Sequence, residues 1–304
     1  MIIKSFVDLC TAVYVLVDDR YQRVAAPQDH RPGPSAACTD SERITLTLVA
    51  ELVGLDEESC FLAYVRRNAP TLFPHLPDRS RYNRRRRHLI AATNRIRIAL
   101  ARDVLCYLTP EDRDLAVIDS LPVPVVGFAH ARGAHRWYGE ARYGHNATKS
   151  QTFYGYKLHL LATASGVVLD FALVPANVAD GRLTEQLLIG QRDLTVLGDK
   201  AYINAPLQAL LAHRNHLHLL TPTRVNQHPR RDPCPPRLLA HFRQTIETLN
   251  SQLAEHLQIE RNRAKSVPGL CARIIAKLTA HTVGLLLNCL TGMPLRALKP
   301  LALI

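Results

Sequence analysis

The sequence predicts an α/β protein, a mixed sheet flanked by helices and preceded by a mostly helical N-terminal region. Three observations predict it. Short apolar runs of strand type begin at "LAVIDSLPV" and recur to "HLHLLTP". After the third strand they alternate with helical patterns, as in sheets covered by helices. Before them, apolar residues recur at helical spacing, with proline-rich connectors between.

Taken in order, residues 24–39 carry three prolines and read as a loop. Asp40 can cap a helix containing Ile44, Leu48 and Leu52, and Phe61 and Val65 continue the spacing beyond Gly54. Two short helices about a glycine turn resemble a helix-turn-helix, a pattern that any helical bundle also produces. "PTLFPHLPDRSRY" is a connector, and "RRRRHLIAATNRIRIALARDVL" reads as one helix with Leu89, Thr93, Ile96, Leu100 and Leu105 near one face.

"TFYGYKLHLLAT" alternates, with Lys157 and His159 on one face of a strand. "GVVLDFALVPAN" follows a Ser165-Gly166 turn as its neighbour. A helical stretch, the strand "DLTVLGDKAYI", the helix "APLQALLAHRN", the strand "HLHLLTP" and a long helix from Pro235 complete the pattern. The division expected is residues 1–110 as a helical region with an arginine-rich segment, and 111–304 as the sheet-containing domain.

The net charge of +12 points to a polyanionic partner, nucleic acid first. Nine arginines and no acid fall between Arg79 and Arg102. One sign of charge along a helix suits a phosphate backbone, so Arg84, Arg85, Arg86 and Arg87 are candidate DNA contacts. The seven cysteines occur singly, without zinc-finger spacing or a disulfide framework, and suit a reducing cytoplasm. The apolar stretch Leu9 to Val17 is flanked by Asp8 and Asp18, and "VGLLLNCL" is too short to span a bilayer and reads as a buried helix. No membrane association is expected.

Two apolar strands end in acids, Asp119 in "AVIDS" and Asp199 in "VLGDKAY". Side by side in one sheet, their carboxylates would repel unless a cation sat between them, and hard oxygen ligands suit Mg²⁺ or Mn²⁺. Glu247 borders the apolar stripe of the late helix, with Arg243 and Asn250 on the same side. Lys157, Lys200 and Arg243 are candidate phosphate contacts. Asp180 reads as a helix cap. "GFAHARGAHRWYGEARYGHNATKS", with three histidines and the only tryptophan, reads as a basic loop whose aromatics grip DNA by stacking.

The order strand-Asp, strand-Asp, helix-Glu, with "VIDSLPVPV", "YGYKLHLLATASGVVLDFALVPANVADG", "VLGDKAYI" and "FRQTIETLNSQL", resembles the RNase-H-like catalytic domain of DDE transposases from bacterial insertion sequences. With "FPHLPDRSRYNR" included, the resemblance is closest to insertion-sequence family nine-eighty-two and covers most of the chain. It implies that Asp119, Asp199 and Glu247 hold two Mg²⁺ (or Mn²⁺) ions, Asp119 bridging them. It also implies in-line cleavage at element ends and strand transfer into target DNA, with terminal inverted repeats and target DNA as partners. A homodimer on DNA, in a bacterial cytoplasm at the nucleoid, goes with that reading. Relatives often carry a Tyr three residues before the helix Arg and a Lys seven after the Glu. Here Ala240 and Ala254 stand there, so contacts made by those side chains do not transfer. A nuclease without strand transfer and a non-enzymatic DNA-binding repressor are the alternatives that the acids and charge leave open.

Overall fold

The computed structural model describes residues 3–29, 33, 36–137, 139–146, 150–222, 236–261 and 263–298. They form two compact units, one of residues 1–106, 252–259 and 264–304, the other of 107–251 and 260–263. The chain first passes from one unit to the other at residues 106–107, and the chain from residue 264 belongs to the first unit.

The first unit is helical. Its main helices are α1 (Phe6–Val24), α2 (Asp40–Leu52), α3 (Glu58–Asn68), α4 (Arg79–His88) and α5 (Ile90–Leu105). Helix α2 starts at a capping box, Thr39 accepting from Glu42 N–H while the Glu42 carboxylate accepts from Thr39 N–H, so the cap is Thr39 and not Asp40. The arginine-rich segment is two helices that break at Leu89, which serves as C-cap of α4 and N-cap of α5. Leu89, Thr93, Ile96 and Leu100 are buried as the spacing predicts, with Val104 in place of Leu105.

On α4 the buried stripe is Tyr82, Arg85, Arg86 and Leu89, so two of the four expected DNA contacts point inward. Arg85 pairs with Asp40 on α2, and Arg86 pairs with Glu58 on α3 at 2.9 Å. This corrects the expectation of a phosphate-binding face through Arg84–Arg87. The neutralising acids lie on other helices, far along the chain. Arg84 and Arg87 remain exposed.

Within the same unit, Val267–Thr291 forms one helix, here α10 below. Long and apolar enough to cross a membrane, it is nevertheless almost wholly buried and packs against α5 and α2 as the core of the unit. It carries Lys277, whose Nζ donates to Glu51 Oε2 at 2.5 Å with both side chains buried.

The second unit is built on a six-stranded sheet. After a short helix, α6 (Pro110–Asp114), come β1 (Leu115–Val126), β2 (Arg142–Asn146), β3 (Gln151–Thr163) and β4 (Val168–Pro175). Then follow α7 (Thr184–Leu188), β5 (Thr195–Gly198), α8 (Ala205–Asn215), β6 (His218–Leu220) and α9 (Pro236–Ser251), and α10 closes the numbering in the first unit. Strands β1, β3 and β4 are antiparallel neighbours, while β5 and β6 run parallel to β1 and to each other. The order β4-β3-β1-β5-β6 is the RNase-H-like arrangement the sequence predicts. Strand β2 was expected as loop. It pairs with the first residues of β3, on the edge that β4 occupies further along.

The β3–β4 hairpin turns at Gly166, whose φ of +90° L side chains rarely adopt. Gly155 on β3 faces a β-bulge in β1, where a Cβ would sit 2.2 Å from the Val123 carbonyl oxygen. Backbone cannot swing aside as a side-chain tip can. Gly155→Ala is therefore expected to destabilise this unit by about 1–3 kcal/mol, seen as a lower urea midpoint with unchanged slope.

Candidate active site

The parallel pairing of β1 with β5 ends at Ile118 opposite Gly198, and the next residues along the two chains are Asp119 and Asp199. The acids thus stand abreast because the register sets them so. Asp119 does not end its strand, as the sequence suggested: β1 continues to Val126 while β5 stops. The continuation through Pro122 and Pro124 pairs with β3 alone, a context that tolerates residues without an N–H.

Helix α9 supplies the third side of the site. Asn250 Nδ2 donates to Asp119 Oδ2 at 3.2 Å, and Thr245 Oγ1 donates to the Ala164 carbonyl at 3.0 Å, which ties the helix to the sheet. Glu247 precedes Asn250 by three residues, on the same helix side as Arg243, and both Glu247 and Arg243 are exposed. The side chains of Leu239 and Phe242, part of the expected apolar stripe, lie outside the described residues.

Burial pushes the Asp119 carboxyl up to about 6, and the charges of Asp199 and Asp180 add to the rise against hydrogen bonds from Ser120 N–H and Asn250. Burial also raises Asp199, offset in part by the Ala201 N–H that donates to its Oδ1 at 2.7 Å. The folded-state value for Asp119 lies above the ordinary aspartate value of 3.8, so the folded chain binds this proton more tightly than the unfolded one. Its anion then costs stability above about pH 6, and the cost vanishes as the pH falls below the unfolded value. Without divalent cations, Asp119→Asn is expected to be more stable than wild type by about 2–3 kcal/mol at pH 8, with the gap closing toward pH 4. Urea titrations at the two pH values measure it; an equal gap at both would sink the burial argument.

Asp180 was expected as a helix cap and is instead a member of the site. It makes no cap hydrogen bond, its carboxylate accepts from Lys157 Nζ at 2.5 Å, and it lies 3.7 Å from His159 Nε2. His159 is fully buried, and its Nδ1 is 3.3 Å from the Tyr202 hydroxyl. Burial holds the imidazole down at about 4 and the Tyr202 hydroxyl well above its usual value. The sequence signal for Asp180 was the register of β3: Lys157 and His159 share a face, and a paired acid had to come from elsewhere. Lys157 is therefore engaged by a carboxylate within the protein, while Lys200 is exposed in the turn after Asp199.

The donors suit a hard divalent cation: Asp119 and Asp199 are adjacent carboxylates whose ionised forms repel, and Asn250 Oδ1 is buried with no hydrogen-bond partner. Among the described residues, however, no group of three or more His, Cys, Asp or Glu side chains is drawn close enough to hold a metal ion. The structure sets Asp119 beside Asp199 and Asn250, with Asp180 within electrostatic reach of both acids, and it leaves Glu247 exposed on α9.

A family model described as Transposase DDE domain matches residues 110–267, just over half of the chain. No curated protein matches significantly. No solved structure does either.

Proposed function

Because the chain belongs to the transposase DDE domain family, we propose that it cleaves DNA at the ends of a mobile element and joins them to target DNA. The observation that carries the reading is the β1–β5 register, which sets Asp119 beside Asp199 under a side chain from α9. Asp119, Asp199 and Glu247 would hold Mg²⁺ or Mn²⁺ ions. Bound there, the cations would lower the pKa of the attacking hydroxyl and neutralise charge on the leaving oxygen.

The chain's own groups do the rest. Asn250 orients the Asp119 carboxylate by donating to it, and the Ala201 N–H fixes Asp199. Ionised Asp119 is the form that would hold the cations, and burial raises its carboxyl when no cation is bound, so cation binding should weaken as the pH falls. The exposed Lys200 and Arg243 bind phosphates beside the acids. Lys157 holds Asp180 in place. Residues 1–110 contact DNA through the exposed Arg84 and Arg87, and the sheet-containing domain carries the chemistry. Two copies act on paired terminal inverted repeats in a bacterial cytoplasm, at the nucleoid, as in insertion-sequence family nine-eighty-two.

The test is a strand-joining assay with labelled element ends, target plasmid and Mg²⁺. Joined products support transposition. Nicks without joining support a nuclease, and specific binding without either supports a repressor.

A further inference from the structure

Among the described residues of the second unit, Tyr107, Phe128 and Tyr143 are exposed large aromatics, and the last two meet each other. Phe128, just beyond β1, is 60% exposed, and Tyr143 on β2 is 48% exposed. Their rings meet edge to face, with centroids 5.9 Å apart, and Tyr143 contacts the buried Tyr154 at 5.0 Å. Trp137, the obvious stacking residue in the sequence, is only 3% exposed; it packs against Tyr156, and its carbonyl accepts from the Tyr154 hydroxyl. The buried aromatics thus make a rigid base, and Phe128 and Tyr143 are the faces left open. In the same segment Arg132, Arg136, His130, His135 and His145 are all exposed. Glu140 is the one acid between residues 127 and 146.

Exposed rings among cations fit a ligand with phosphates and free base faces. A B-form duplex hides its base faces in the stack, whereas unpaired nucleotides offer them. The location agrees. Tyr143 is opposite Tyr154, Tyr154 is opposite Val126, and Asp119 is opposite Leu160. Alternation along β3 puts Tyr154 and Leu160 on one face. The aromatic pair therefore lies on the Asp119 face, about 20–25 Å further along β1 at the rise of a strand.

We infer that Phe128 and Tyr143, in a segment that also carries the exposed cations Arg132 and Arg136, form a stacking site for unpaired DNA bases flanking the cleavage position. The inference rests on the reading of DNA as the substrate and extends it to single-stranded character near the scissile phosphate.

Fluorescence anisotropy in EDTA would compare an oligothymidylate of about 15 nucleotides with a random duplex of about 20 base pairs, using the full chain. Phe128→Ala and Tyr143→Ala should each weaken oligothymidylate binding at least about fivefold and leave duplex binding within about twofold. Tyr143→Phe, which keeps the ring, should bind like wild type. Unchanged oligothymidylate affinity, or an equal loss for both probes, overturns the inference. A second measurement needs no variant: a 2-aminopurine base in the single strand should be quenched on binding to wild type, and an unquenched complex overturns the inference too. Cleavage surviving in Asp119→Asn would refute the active-site reading alone, because these binding results do not depend on it.

Discussion

Asp119→Asn will lower DNA end cleavage by about a thousandfold or more while DNA binding persists. The substitution keeps the shape of the side chain and its place beside Asn250, but removes the anion that, on the proposed reading, would hold the cations. Several kcal/mol of transition-state stabilisation by the cations then go with it. Cleavage kinetics at saturating enzyme measure the loss, and a rate near wild type would sink the assignment. The companion variants decide the third acid. Glu247 is exposed on α9, whereas Asp180 lies within electrostatic reach of both Asp119 and Asp199. Activity lost in Glu247→Gln and retained in Asp180→Asn assigns the role to α9; the reverse pattern assigns it to Asp180.

The largest effect on stability is expected from Lys277→Met, at about 3–5 kcal/mol of the helical unit's stability. Lys277 sits on α10 at 1% exposure and Glu51 on α2 at 5%, with nitrogen and oxygen 2.5 Å apart. Truncating the lysine leaves the Glu51 carboxylate buried without its cation, and that uncompensated charge is the main cost. Replacing both, Glu51→Leu with Lys277→Met, should recover most of the loss, because an apolar pair of similar volume carries no desolvation cost. Urea unfolding of the three variants measures this. A double variant as unstable as the single one would show that packing, not charge, sets the cost.

Much of the sheet was legible because strand signals are local. An apolar run interrupted by an acid marks Asp119 and Asp199 without knowledge of any other element, and alternation in "TFYGYKLHLLAT" sorts its faces. Strand β2 was missed because its five residues, Arg142–Asn146, show no apolar alternation and are largely exposed. Asp180 was taken for a cap because an acid before a helix normally is one. Its partners, Lys157 and His159, are on β3, more than twenty residues earlier.

The arginine-rich segment shows the same limit from the other side. Its composition points to a polyanionic partner, and Arg84 and Arg87 are exposed. Periodicity also places Arg85 and Arg86 on the stripe with Tyr82 and Leu89, but only the positions of Asp40 and Glu58 make burial of two guanidinium groups affordable.

By itself, then, the sequence determined the α/β class, the order of the main strands and helices, the basic character and the two strand acids. Each follows from the chemistry of a few neighbouring residues. The tertiary structure decided the rest. It set Ile118 opposite Gly198, so that the two acids stand abreast, and it brought Asn250 to Asp119 across 131 positions of chain. It also gave α10 to the helical unit, and left Phe128 and Tyr143 open to water while covering Trp137. Spacing says which residues share a face of one element. Which faces meet depends on packing between segments far apart in the chain, and no local pattern encodes that.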